Sequence, residues 1–201
     1  MPRTKEQYEK IRREKRELIS ETALKLFAEN GYDATSINEI AQSAGISKGL
    51  MYNYFSSKED LLQTIWDNLT LEFENMIDPN RDGNVTDEEA EDFIDRLFEH
   101  LKTKRHIYKL YYQLSFQPKV VRFLTTKYKR NQAANSQNLI IDYFSKKLPH
   151  SDITINYFTV LVFWKGLAMV TTYTEDYFGN DFLDKYKNSL KSIFFKDKSD
   201  V

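Results

Sequence analysis

The sequence predicts an all-α protein, and three observations carry that reading. Apolar residues recur at helical spacing through almost the whole chain. Glycine (6) and proline (4) are scarce in 201 residues, which suits long helices with few breaks. No stretch alternates apolar and polar residues as a half-buried strand would. At 41% hydrophobic and 29% charged residues, the composition is that of a globular chain.

The helices follow in order. Leu18/Ile19, Thr22/Ala23 and Leu26/Phe27 recur every four residues on one helical face, and Asn30-Gly31 stops the run. Ser36 and Glu39 form a capping box for a short helix carrying Ile37, Ile40, Ala41 and Ala44, which Gly45 ends. Ser47 caps a third helix with Met51 and Phe55 on one side. Ser57, with Asp60 three residues on, opens a fourth through Leu61, Leu62, Ile65, Trp66, Leu69 and Phe73. Further helices are expected near 87–102, 104–116, 118–147, 152–176 and 181–195, with Pro118 and Pro149 at starts and "FGND" (178–181) as the last turn. The total is about nine helices.

Charge totals −1 and favours no partner, but it is unevenly spread. Arg3, Lys5, Lys10, Arg12, Arg13, Lys15 and Arg16 crowd the start, against Glu6, Glu9 and Glu14. Such a face is either solvated or drawn to phosphates. Acids dominate from Glu72 to Glu99 and bases from Lys102 to Lys147. The basic run is solvated surface or a hint of an anionic ligand. Without cysteine there are no disulfides, and the expected setting is reducing and cytoplasmic. The N-terminal segment lacks the apolar core of a signal peptide, and "YFTVLVFWKGLAMV", interrupted by Lys165, reads as too short for a membrane span.

Enzymatic motifs are missing. His100, His106 and His150 are scattered, and neither a phosphate-cradling glycine loop nor a nucleophile elbow occurs. No cofactor is required by anything in the sequence. One motif does suggest a metal. "DPNRDGNVTDEE" (78–89) fits the spacing of a calcium-binding helix-loop-helix, with Asp78, Asn80, Asp82 and Glu89 as ligands and Gly83 at the turn. The competing reading is an acidic turn whose Thr86 or Asp87 caps the next helix.

Residues 36–55, two short helices about a tight turn, have the outline of a helix-turn-helix, whose second helix enters the major groove of DNA. With Met51 and Phe55 inward, Gly49 and Asn53 point most nearly outward, flanked by Leu50 and Tyr52, with Lys48 in the first turn. The run "LKLFAENGYDATSINEIAQSAGISKGLMYNYFSSKEDLL" (24–62) resembles the N-terminal domain of TetR-family transcriptional regulators. The likeness rests on Leu26-Phe27, Gly31-Tyr32, Thr35-Ser36, Ile40-Ala41, Ala44-Gly45-Ile46-Ser47, Tyr52-x-Tyr54-Phe55 and Lys58-Glu59, and spans roughly 12–72.

The resemblance implies a DNA-binding domain over 1–60, a connecting helix over 61–77, the acidic loop 78–89, and a ligand-binding and dimerising helical domain over 90–201. It implies phosphate contacts from Thr35, Ser36, Tyr54 and Lys58. It places Ser47, Lys48, Gly49, Leu50, Tyr52 and Asn53 on or beside the groove-facing surface, where Leu50 departs from the small or hydroxylated residue the family pattern leads one to expect and is suited to a thymine methyl. The partners it implies are double-stranded operator DNA, a small-molecule effector and a second copy of the chain, joined through the last two helices. Among the aromatic residues, Tyr108, Tyr112, Phe116, Phe158 and Trp164 are candidates for an effector pocket, with ordinary core packing as the alternative.

Overall fold

The structure is a computed structural model that describes residues 4–130, 136–173 and 179–195. Ten helices occur among them. These are α1 (Lys5–Asn30), α2 (Ile37–Ser43), α3 (Lys48–Met51), α4 (Lys58–Ile77), α5 (Asp87–Thr103), α6 (Arg105–Ser115), α7 (Pro118–Arg130), α8 (Ser136–Lys147), α9 (Ile153–Tyr173) and α10 (Asn180–Phe195). The helix expected over 118–147 is described in two parts, α7 and α8, and its residues 131–135 lie outside the described residues. The expected ends of the ninth helix (174–176) and Phe178 of the "FGND" turn also lie outside them.

The chain divides into two units, the first comprising 1–69 and 110–129, the second 70–109 and 130–201. The border falls inside α4 and α6, so each of these helices contributes to both. Residues 110–129, which fall within the expected C-terminal domain, belong here to the first unit.

In the first unit the amphipathic face of α1 buries Ile19, Ala23, Leu24 and Phe27, while Leu18 lies 41% exposed. Gly31 ends α1 at φ 95°, a conformation that favours glycine. The capping box of Ser36 and Glu39 starts α2, and Ser47 accepts from Leu50 N at 3.1 Å to start α3. Ile40, Ala41, Met51, Phe55, Leu61, Leu62 and Ile65 complete the core, all at most 1% exposed. Full burial of each large side chain contributes about 1.5–3 kcal/mol.

Gln117, between α6 and α7, also serves this unit. Its amide donates to Phe27 O at 2.7 Å and accepts from Tyr32 N at 2.6 Å. Nothing in its sequence context marked it.

In the second unit α5 buries Ala90, Phe93, Ile94, Leu97, Phe98 and Leu101, a broad helical stripe. Helices α9 and α10 pack on it, and α8 on α9. Trp164 lies edge-on to Phe93 (5.6 Å) and Phe144 (5.3 Å), and Phe144 edge-on to Phe194 (4.7 Å). Lys187 and Lys191 of α10 pair with Asp95 of α5 at 3.0 and 2.9 Å. The last two helices have a second, outward apolar face. Phe158 (64%), Val162 (52%), Met169, Val170, Phe182 and Ile193 (71%) are exposed, whereas Leu183 and Leu190 are buried. Among the described residues α9 is one helix long and apolar enough to cross a membrane by length and composition alone, with 25% of that stretch buried.

Candidate nucleic-acid interface

Helix α3 is shorter than the wheel assumed. It closes at Met51, and Tyr52–Tyr54 continue as a tight turn, Asn53 N and Tyr54 N donating to Leu50 O and Met51 O at 3.0 Å. The inward anchors are as expected, Met51 and Phe55 both being buried. Ser47, Lys48, Gly49, Leu50, Tyr52 and Asn53 are all exposed, and Tyr54 is half-buried. Leu50 (39%) and Tyr52 (51%) are large hydrophobic side chains left open to solvent at some cost, unless another surface covers them.

Gly49 is informative. It has no positive φ, and a Cβ built there meets nothing within 4 Å. Glycine inside a helix is destabilising by roughly 0.5–1 kcal/mol relative to alanine. Nothing in the fold itself therefore requires glycine at this point.

Two expected phosphate contacts are corrected. Thr35 is 1% exposed, and its hydroxyl donates to Gly31 O at 2.9 Å and to Leu26 O at 3.2 Å. It is consumed in closing the end of α1. Lys58 points back under the α1–α2 turn, donating to Tyr32 O (2.6 Å) and Thr35 O (2.9 Å), with its ammonium 4.5 Å from the Tyr32 ring centre. Burial lowers its pKa, against the pull of Asp33 and Glu59. It staples the turn. Ser36 remains exposed while capping α2; the hydrogen bonds made with Ser36 lower the Glu39 pKa.

The basic start of α1 is largely spoken for. Lys5, Lys10 and Arg13 stand within 4.0 Å of Glu9, Glu14 and Glu17, one helical turn on. Such exposed pairs are worth little in stability but temper the net charge of the face.

The loop 78–89 forms the acidic turn that was the competing reading. Asp78 is buried and accepts from Asp82 N (3.1 Å) and Gly83 N (3.0 Å). Glu89 accepts from Thr86 N at 2.9 Å in a capping box, so Thr86 rather than Asp87 caps α5. Asn80 donates to Glu89 Oε1 at 3.0 Å. The ligand-type oxygens thus bind the loop's own donors, and among the described residues no three acidic or histidine side chains converge on a metal position.

The five candidate pocket residues do not surround one cavity. Tyr108 is buried in the second unit, edge-on to Phe73. Tyr112 and Phe116 belong to the first unit, and Phe116 is 66% exposed at the end of α6. Phe158 lies on the outward face of α9, and Trp164 is in the aromatic cluster. A hollow in the second unit is lined by Glu88, Glu89, Glu91, Asp92, Asp95 and Lys191, a polar surface rather than an aromatic one.

With this geometry in view, a family model for bacterial regulatory proteins, tetR family, matches residues 19–65. The N-terminal region of the chain thus matches the TetR-family helix-turn-helix domain. Over 50 residues it is 62% identical to an HTH-type transcriptional regulator, YuxN, of Bacillus subtilis, covering 25% of this chain and 17% of that one. A longer match, 31% identical over 109 residues, joins it to IcaR of Staphylococcus epidermidis, the HTH-type negative regulator of the biofilm operon icaADBC, covering 51% of this chain and 55% of that one. The chain spans only 17–25% of the length of the curated relatives first matched. The TetR-like fold extends further. TetR-family regulators from Haemophilus influenzae (TM-score 0.63, 17% identity, 91% of this chain and 97% of that) and Bordetella parapertussis (0.59, 19%, 92% and 96%) superpose on nearly the whole protein.

Proposed function

We propose that this protein is a TetR-family repressor that grips a two-fold operator as a homodimer and releases it when a small molecule binds. The exposed face of α3 and its following turn carries the reading. Lys48, Leu50, Tyr52 and Asn53 offer a cation, a methyl-contacting side chain, a phenol and an amide around the bare Gly49, and groove edges and phosphates are read by such groups. Ser36, Ser47 and Tyr54 flank that face and supply hydroxyls for the backbone.

The homodimer is supported by the outward apolar face of α9 and α10. Lys165 in the middle of α9 argues against lipid as its cover. The sign of regulation follows the negative regulator IcaR, with which half the chain aligns. Release by a ligand draws support from α4, which belongs to both units, and from the buried indole N–H of Trp164, which has no acceptor among the described residues. An unmatched buried donor costs about 1–3 kcal/mol, and a ligand's acceptor would remove that cost.

Lys48→Ala and Tyr52→Ala test the reading. Both variants are expected to keep the wild-type melting curve and to lose affinity for duplex selected by the wild-type protein. Unchanged affinity in both would refute α3 as the reading element.

A further inference from the structure

Two arginines of α1 do something other than neutralise surface acids. Arg12 and Arg16 stand one helical turn apart, on one face of the helix. Arg12 donates to Asn53 O at 2.9 Å, and its guanidinium lies 5.5 Å from the Tyr54 ring centre. Arg16 donates to Tyr54 O and to Thr64 Oγ1 of α4, the latter at 3.3 Å, with its guanidinium 4.2 Å over the Phe55 ring. Consecutive carbonyls at the end of the reading element are thus held by consecutive turns of α1.

Those carbonyls lie in the turn just past the end of α3, and a cation there also meets the negative end of the helix's backbone dipoles. The planar fork of arginine supplies a carbonyl donor and a ring-stacking face together, which the single ammonium of lysine does not. Arg16 ties α1, the end of the α3 turn and α4 at one point.

We infer that Arg12 and Arg16 are positioning residues for DNA recognition, fixing the angle at which Leu50, Tyr52 and Asn53 are presented, rather than cations that bind phosphate. The inference rests on the proposal that α3 reads DNA.

The probe is the duplex enriched by the wild-type protein from a random pool, compared with a scrambled duplex of equal length, over a range of salt. Arg12→Lys and Arg16→Lys keep the charge, and Arg12→Ala and Arg16→Ala remove it. Positioning predicts that all four variants lose about tenfold in affinity for the selected duplex, the size of one charge-assisted hydrogen bond. Affinity for the scrambled duplex and the slope of log affinity against log salt would stay at wild-type values. Phosphate binding predicts the reverse. The lysine variants would bind as wild type, and the alanine variants would lower the slope by about 0.9 with selectivity retained. That result would overturn the inference. Should Arg16→Ala fail to fold, the exposed Arg12 carries the same comparison. A wild-type protein that enriches no sequence fails the reading of α3 itself. Lysine variants indistinguishable from a wild type that does enrich one sink only the clamp.

Discussion

Replacing Gly49 by alanine should make the protein more stable and a poorer DNA binder. The backbone at Gly49 is ordinary helix, and the added methyl meets no atom within 4 Å. Alanine therefore gains helix propensity and reduces the freedom of the unfolded chain, together about 0.5–1 kcal/mol. In a chain of this size that raises Tm by about 1–4 °C. In the proposed complex the same methyl would stand between α3 and the groove. Forcing a methyl into a packed contact costs about 1–3 kcal/mol, a loss of roughly 5- to 150-fold in affinity. Thermal melting by circular dichroism reads the first effect, and fluorescence anisotropy on the selected duplex at fixed salt reads the second. The opposite signs exclude misfolding as the cause of weak binding. Tight binding by Gly49→Ala would refute the claim that the bare site exists for close approach of the duplex. A lowered Tm would refute the conformational argument.

Three further outcomes follow from the geometry. Lys58→Met leaves carbonyls of the α1–α2 turn without their donor and should cost about 1–3 kcal/mol in denaturant melts, with no change in salt slope; a stability-neutral variant would contradict the staple. Hydrogen bonds from Lys147 and Tyr143 hold the Asp87 carboxyl below its ordinary value. A depressed carboxylate stabilises above its unfolded pKa, and the gain disappears as pH falls through the folded value, so Asp87→Asn should destabilise at neutral pH and be neutral in strong acid. A pH-independent effect would show that the pairing is not electrostatic. Phe158→Glu and Val162→Glu, at exposed positions, should keep the helical circular-dichroism spectrum yet shift sedimentation from dimer to monomer; dimeric variants would place the interface elsewhere.

The sequence was most legible where local chemistry decides structure. The caps at Ser36, Ser47 and Ser57 and the stop at Gly31 each left a distinct residue signal, and the structure forms them. Met51 and Phe55 were placed inward by spacing that survives the closing turn after α3. Long-range pairing left no such mark. Lys58 and Thr35 belong to the family pattern, but only the fold shows their polar atoms bound to carbonyls of the same turn. Arg12 and Arg16 read as part of a basic run, because partners 38 to 41 residues away cannot be seen in local periodicity. The loop at 78–89 is ambiguous for a different reason. A polar turn and a calcium loop use the same residues, and the capping box of Thr86 and Glu89 belongs to the turn.

Selection of bound duplex from a random pool tests the central claim most directly. The account predicts enrichment of a two-fold symmetric sequence whose half-sites are separated by about one helical turn, roughly 34–36 Å, or a multiple of it. Its affinity should fall steeply with salt and be lost in Tyr52→Ala. A pool that returns unenriched, or an enriched site bound equally well by Lys48→Ala and Tyr52→Ala, would contradict it.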